Sequence, residues 1–201
     1  MPKEFQVYRY PQALPLNAPG SVVAIGNFDG VHKGHQAVLA AAREKAGAQG
    51  LWLIVLTFDP HPREVLTPQK APLRLTPFDE KCGLLAQYGA DGVYVIEFSL
   101  AYAKTSAEAF VEETLVKALR ANHVVVGADF AFGRNREGDV AMLEKAGKAA
   151  GFKVHVQPLL KDTLNDEAEQ FVTSTAIRKH IAQGEHEKAR ALLGHDIRLL
   201  K

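Results

Sequence analysis

The run Val22-Val23-Ala24-Ile25 places four apolar side chains in succession and ends at Gly26-Asn27-Phe28-Asp29-Gly30. A strand with one face in water alternates apolar and polar residues, whereas an uninterrupted apolar run needs cover on both faces. Further candidate strands lie at 51–57, 93–97, 123–127 and 153–158, and the first is read as 22–27. Segments of helical period separate them, at 34–47, 78–88, 106–120 and 137–150, and two more follow at 175–183 and 186–193. Strands alternating with helices predict an α/β chain with a doubly wound parallel sheet. Ligands of such sheets bind beyond the carboxyl ends of the strands. That rule singles out the loops 26–33, 58–76 and 127–138.

A chain of 201 residues is long enough for one ordinary domain. The expectation is a single domain over 1–201, with its core at about 20–185 and a helical tail at 186–201. A net charge of +1 gives no electrostatic case for nucleic acid or a membrane surface as a partner. The single cysteine, Cys82, excludes an internal disulfide framework and a cysteine metal cluster. No purely apolar run is longer than that from Leu51 to Leu56, which is far short of a membrane span. No apolar signal region stands at the N-terminus, so a cytoplasmic protein is expected.

The turn at 26–36 carries the strongest chemical signal. His32, Gly34 and His35 stand where the first helical segment begins. A helix N-terminus offers unpaired N–H groups and a partial positive charge to an anion. Residues at i and i+3 share a face, so His32 and His35 reach the same anion. Gly34 between them lets a ligand approach the backbone. Gly26, Gly30 and Gly34 are four apart, which is not the dinucleotide fingerprint, and no Gly-Lys-Ser or Gly-Lys-Thr follows. The spacing His-x-Gly-His after a buried strand predicts attack on the α-phosphorus of a nucleoside triphosphate. The plainer alternative is a glycine turn with two solvated histidines.

Three other segments stand out. Thr57 to Leu66 reads TFDPHPREVL, in which the prolines restrain their neighbours and hold Phe58 and His61 rigidly at the sheet edge. Val124 to Asp139 reads VVVGADFAFGRNREGD. Phe130 and Phe132 there either plug the core or wall a flat aromatic ligand, with Asp129, Arg134 and Arg136 nearby for polar contacts. Thr173 to Ile181 reads TSTAIRKHI. Helix capping explains one of its three hydroxyls, and three hydroxyls with Arg178 describe a second phosphate site.

In this order, from about Val22 to Gly194, the segments resemble the FAD synthetase module of the prokaryotic bifunctional riboflavin kinase/FMN adenylyltransferase family. The resemblance covers G-N-F-D-G-V-H-x-G-H, T-F-D-P-H-P, L-T-P-F-D-E-K at 75–81, V-V-G-x-D-F-x-F-G-R-N and S-T-x-I-R. It implies a Rossmann-like fold of the nucleotidyltransferase (HxGH) superfamily and transfer of AMP from ATP to FMN, with Mg²⁺ accompanying ATP and its protein ligands unassigned. It further implies catalytic roles for His32, His35 and Arg178. ATP would be bound by Gly26, Asn27, Phe28, Asp29, Gly34, Ser174 and Thr175. FMN would be bound by Phe58, Asp59, His61, Pro62, Asp129, Phe130 and Phe132. Ala176 departs from the family, which commonly has an arginine there. No kinase signature follows within the chain, so a riboflavin kinase module is expected only if the chain is part of a longer protein. Two rival readings stay open: a nucleotidyltransferase with another phosphate acceptor, and a non-catalytic flavin or nucleotide sensor.

Overall fold

The computed structural model describes residues 4–162 and 171–200. Six strands form one sheet: β1 (Gln6–Arg9), β2 (Ser21–Ile25), β3 (Trp52–Phe58), β4 (Gly92–Ile96), β5 (Ala121–Gly127) and β6 (Lys153–Gln157). Their order is β1-β4-β3-β2-β5-β6, and every neighbouring pair is parallel. The helices are α1 (Lys33–Gln49), α2 (Pro62–Leu66), α3 (Phe78–Gln87), α4 (Ala107–Ala109), α5 (Val140–Ala150), α6 (Ser174–Ala182) and α7 (His186–Leu193). A π-helical segment, Phe110–Ala118, continues α4.

Both faces of the central strands are covered, which is why they read as apolar throughout. Val22, Ala24, Leu53, Val55, Val93 and Val125 share one core with Val38, Leu39 and Ala42 of α1 and Leu85 of α3. Val23, Ile25, Ile54, Leu56, Tyr94, Ile96, Val124 and Val126 share the other with Phe110, Leu115 and Leu143. Neighbouring residues on a strand therefore belong to opposite cores. A third cluster joins Leu75, Val172, Ile177, Ala189, Leu192, Leu193 and Ile197, and packs α6 and α7 beside the loop that precedes α3.

The strand expectations at 22–27, 51–57, 93–97, 123–127 and 153–158 match β2 to β6 within two residues. β1 was not expected, because only Tyr8 of Gln-Val-Tyr-Arg is buried on this edge strand. The 106–120 helix widens to π-helical pairing after Ala109. The 58–76 loop holds α2. The helix expected from 137 starts at Val140, where the Asp139 side chain accepts from the Met142 N–H.

The chain steps from β2 through β3 to β4 in one direction and then returns to place β5 on the other side of β2. The loops after β2 and β5 part at this reversal, and the loop after β3 flanks it. This is the crevice where doubly wound sheets bind ligands.

Candidate functional site

The turn after β2 buries its apolar side chains Phe28 and Val31 and also Asp29 and His32. Phe28 and Val31 take left-handed backbone angles, φ 49° and 40°, and both are buried in the core under α1. Such angles are unfavourable for side chains of this size, and the burial of both holds them there. Phe28, expected at the nucleotide, is thus a floor beneath the site. Its ring lies 4.9 Å from that of His35. The His32 and His35 rings stack at 3.6 Å with 19° between their planes.

His32 caps α1, its Nδ1 accepting the His35 N–H at 3.3 Å. A neutral His32 therefore carries its proton on Nε2. His35 Nδ1 is enclosed and has no hydrogen-bond partner among the described residues. Burial, with Arg178 and His195 nearby, pushes His32 down to about 4. Burial, then His32 and Lys81, hold His35 well below its ordinary value. Both shifts favour the neutral imidazole. A Cβ on Gly34 would lie 3.0 Å from the Val172 carbonyl oxygen and 3.2 Å from the His32 ring. The close approach that excludes a side chain there is already made by the protein itself.

Asp29 faces inward and is only 5% exposed. It accepts the N–H groups of Leu75 at 3.0 Å and Thr76 at 3.1 Å, and forms an ion pair with Arg178. Arg178 Nε donates to the Leu73 carbonyl at 2.6 Å. Ser174 Oγ donates to the Asp29 carbonyl at 2.9 Å. Thr173 caps α6, accepting from the Ala176 N–H at 3.1 Å, while Thr175 is exposed. The three hydroxyls therefore divide into one cap, one tie to the β2 turn and one open to ligand.

Phe58, Asp59 and His61 line a cleft with Asp29, Arg74, Thr76 and Lys81. Pro62 opens α2, and His61 caps it by accepting the Arg63 N–H at 3.1 Å. Burial lowers the His61 pKa. Arg74 is ion paired with Asp59 and Glu64, each at 2.9 Å. The Lys81 ammonium donates to the Asn27 carbonyl at 3.1 Å and to Thr57 Oγ1 at 3.4 Å.

The loop after β5 separates its two phenylalanines. Phe132 is buried, in contact with Phe110 and stacked on Phe130, each at 5.4 Å between ring centroids. Its backbone bridges to Gly138, where a Cβ would lie 2.7 Å from the Phe132 ring. Phe130 is half-buried and Asp129 exposed. Of the two readings of this loop, Phe132 is the core plug and Phe130 is the ring that a ligand can meet. The loops after β3 and β5 stand on either side of the β2 turn, since β2 lies between those strands.

Sequence reasoning passed over Lys81, Arg74 and His195. Lys81 had a signal: it interrupts the apolar spacing Phe78, Cys82, Leu85 of α3. His195, whose Nε2 lies 3.0 Å from the Gly30 carbonyl oxygen, had none.

A sequence model of the FAD synthetase family matches residues 15–176. The bifunctional riboflavin kinase/FMN adenylyltransferase of Escherichia coli (strain K12) is 40% identical over 177 residues, which is 88% of this chain and 55% of that protein. The protein of the same name from Listeria monocytogenes is 42% identical over 175 residues, 87% of this chain and 54% of its own length. This chain thus spans about half the length of these curated relatives. A provisionally named bifunctional relative from Geobacillus thermodenitrificans is 41% identical and matches over 89% of this chain and 92% of its own length. Among solved structures, a macrolide-efflux protein from Streptococcus pneumoniae superposes with a TM-score of 0.79 at 27% identity, covering 96% of this chain and 63% of that one. Among the described residues no helix is long and apolar enough to cross a membrane.

Proposed function

The chain belongs to the FAD synthetase family, and on that premise we propose that it transfers AMP from ATP to FMN, giving FAD and pyrophosphate. The observation that carries this reading is the stacked pair His32 and His35 at the mouth of α1, placed at the sheet's reversal and flanked by the loops after β3 and β5. A phosphate oxygen of FMN attacks the α-phosphorus of ATP in line. The new O–P bond forms as the bond to the β-phosphate oxygen breaks, and pyrophosphate leaves. No protein nucleophile is needed, so the chain contributes position and charge stabilisation.

His32 offers its Nε2 proton to a phosphate oxygen, and His35 donates from the same face. Thr175 and the N–H groups of α6 lie where pyrophosphate can be held. Arg178 and Ser174 frame that site from the Asp29 turn. Phe58, Asp59, His61 and Pro62 on one side, and Asp129 and Phe130 on the other, address the flavin. Phe132 supports Phe130 from beneath.

Mg²⁺ bound to the triphosphate would neutralise its charge. Among the described residues no group of three or more His, Cys, Asp or Glu side chains could hold a metal ion. The Asp29 carboxylate is taken by Leu75, Thr76 and Arg178. An ion that arrives on the phosphates and keeps its waters fits such a site, since it needs few protein ligands. The reading takes the α/β core and the α6–α7 pair as one adenylyltransferase domain of a cytoplasmic enzyme. A riboflavin kinase module is a partner by covalent linkage if the natural protein extends as its relatives do.

The test is a chromatographic assay of the purified chain with Mg-ATP, offered FMN and riboflavin separately. FAD and pyrophosphate from FMN are expected. A folded protein that makes no FAD from FMN removes the proposal, and turnover of a different phosphate acceptor would replace it.

A further inference from the structure

We propose that Lys81 is the phosphate anchor for the flavin substrate, placing its ammonium where the attacking phosphate must sit. This rests on the reading of the site as an FMN adenylyltransferase and names a residue that the reading did not use.

Lys81 occupies a core-facing position of α3, among Phe78, Cys82 and Leu85, and is 6% exposed. A lysine is rarely buried this deeply without a partner of opposite charge. Arg74 of the cleft lining is neutralised by Asp59 and Glu64, and Arg178, outside that lining, is paired with the cleft's Asp29. Those pairs also neutralise Asp59 and Asp29. Lys81 forms no salt bridge with any described residue. Among the described residues that line the cleft, it is therefore the positive charge without a carboxylate partner.

An ammonium has three N–H donors. Two are used, on the Asn27 carbonyl and Thr57 Oγ1. The third has no acceptor among the described residues, and Lys81 lines the cleft together with Phe58, Asp59 and His61. Burial holds the ammonium below the usual lysine range. A phosphate entering the cleft would offset that desolvation cost and take the third proton. The Asn27 carbonyl that holds Lys81 opens the turn that ends at His32. A phosphate on Lys81 is thus next to the position proposed for the triphosphate, and on the side of the β3 loop that addresses the flavin.

Riboflavin and FMN differ only in the phosphate, which isolates the role of Lys81. FMN, riboflavin and Mg-ATP are titrated into wild type, Lys81→Met and Lys81→Gln, followed by flavin fluorescence and by calorimetry. Gln keeps N–H donors for the Asn27 carbonyl and drops the charge, so it serves should Met fail to fold. Loss of one charge-assisted hydrogen bond predicts FMN binding weakened by about 10- to 100-fold. Riboflavin and Mg-ATP binding should be unchanged. Equal losses for FMN and riboflavin, a loss confined to ATP, or no loss at all would overturn the assignment. A wild type that fails to bind FMN would instead defeat the reading of the site itself.

Discussion

The guanidinium of Arg178, on α6, is ion paired with the carboxylate of Asp29 in the turn after β2, 149 residues earlier. The pair is largely buried, and the Leu73 carbonyl and the Leu75 and Thr76 N–H groups complete it. It locks α6, the β2 turn and the approach to α3 into one rim around the site.

Removing one partner leaves the other charge buried and unpaired. Asp29→Ala should destabilise the protein by about 3–5 kcal/mol, read from the urea midpoint. Arg178→Ala should weaken pyrophosphate and ATP binding as well as stability. Unchanged pyrophosphate affinity in a folded Arg178→Ala protein would confine the arginine to the rim.

His35→Ala should lower kcat by roughly 10²-fold, the effect of one lost transition-state donor. Turnover at the wild-type rate would show that His35 only packs against His32 and Phe28.

Stability should fall with acid because of the same histidines. The folded pKa of His32, about 4, lies below the unfolded value of 6.5, and His35 is displaced in the same direction. The unfolded chain thus binds more protons in that window. The contribution is complete above pH 6.5 and is lost as pH falls toward 4, at up to roughly 1.4 kcal/mol per pH unit for each histidine. Urea melts between pH 7.5 and 4.5 measure it, and His32→Gln should flatten the slope. A variant as acid-sensitive as wild type would place the effect in other groups.

Phe130→Ala should raise the KM for FMN more than that for ATP with little loss of stability, because its ring is partly exposed. Phe132→Ala should cost about 3–5 kcal/mol of stability, as for a large buried ring. The reverse pattern in melting curves and kinetics would assign the flavin to Phe132.

Gly34→Ala brings a methyl group against the Val172 carbonyl and the His32 ring. The expected result is lower activity with both substrates near saturation and a reduced melting temperature. An active, equally stable variant would show that the segment before α6 can yield.

The alternation of apolar runs and helical periods determined the sheet and its two-sided burial, since each strand residue had to be covered on one face or the other. The spacing His-x-Gly-His after such a strand likewise placed His32 and His35 on one face of a first helical turn. These are local consequences of backbone period and were legible in the order of residues. The edge strand β1 was not, because three of its four side chains stay outside the core. Tertiary structure alone decided how polar groups were shared out. Asp29 was read as a nucleotide contact, but the folded chain brings Arg178 and the Leu75 and Thr76 amides to it. Phe28 and Phe132 look like site aromatics in sequence and are core in the fold. Lys81 looks like a flaw in an amphipathic helix until the Asn27 carbonyl and Thr57 hydroxyl meet it. Which partner a buried charge or ring finds depends on segments tens to hundreds of residues away, and local periodicity carries no information about that pairing.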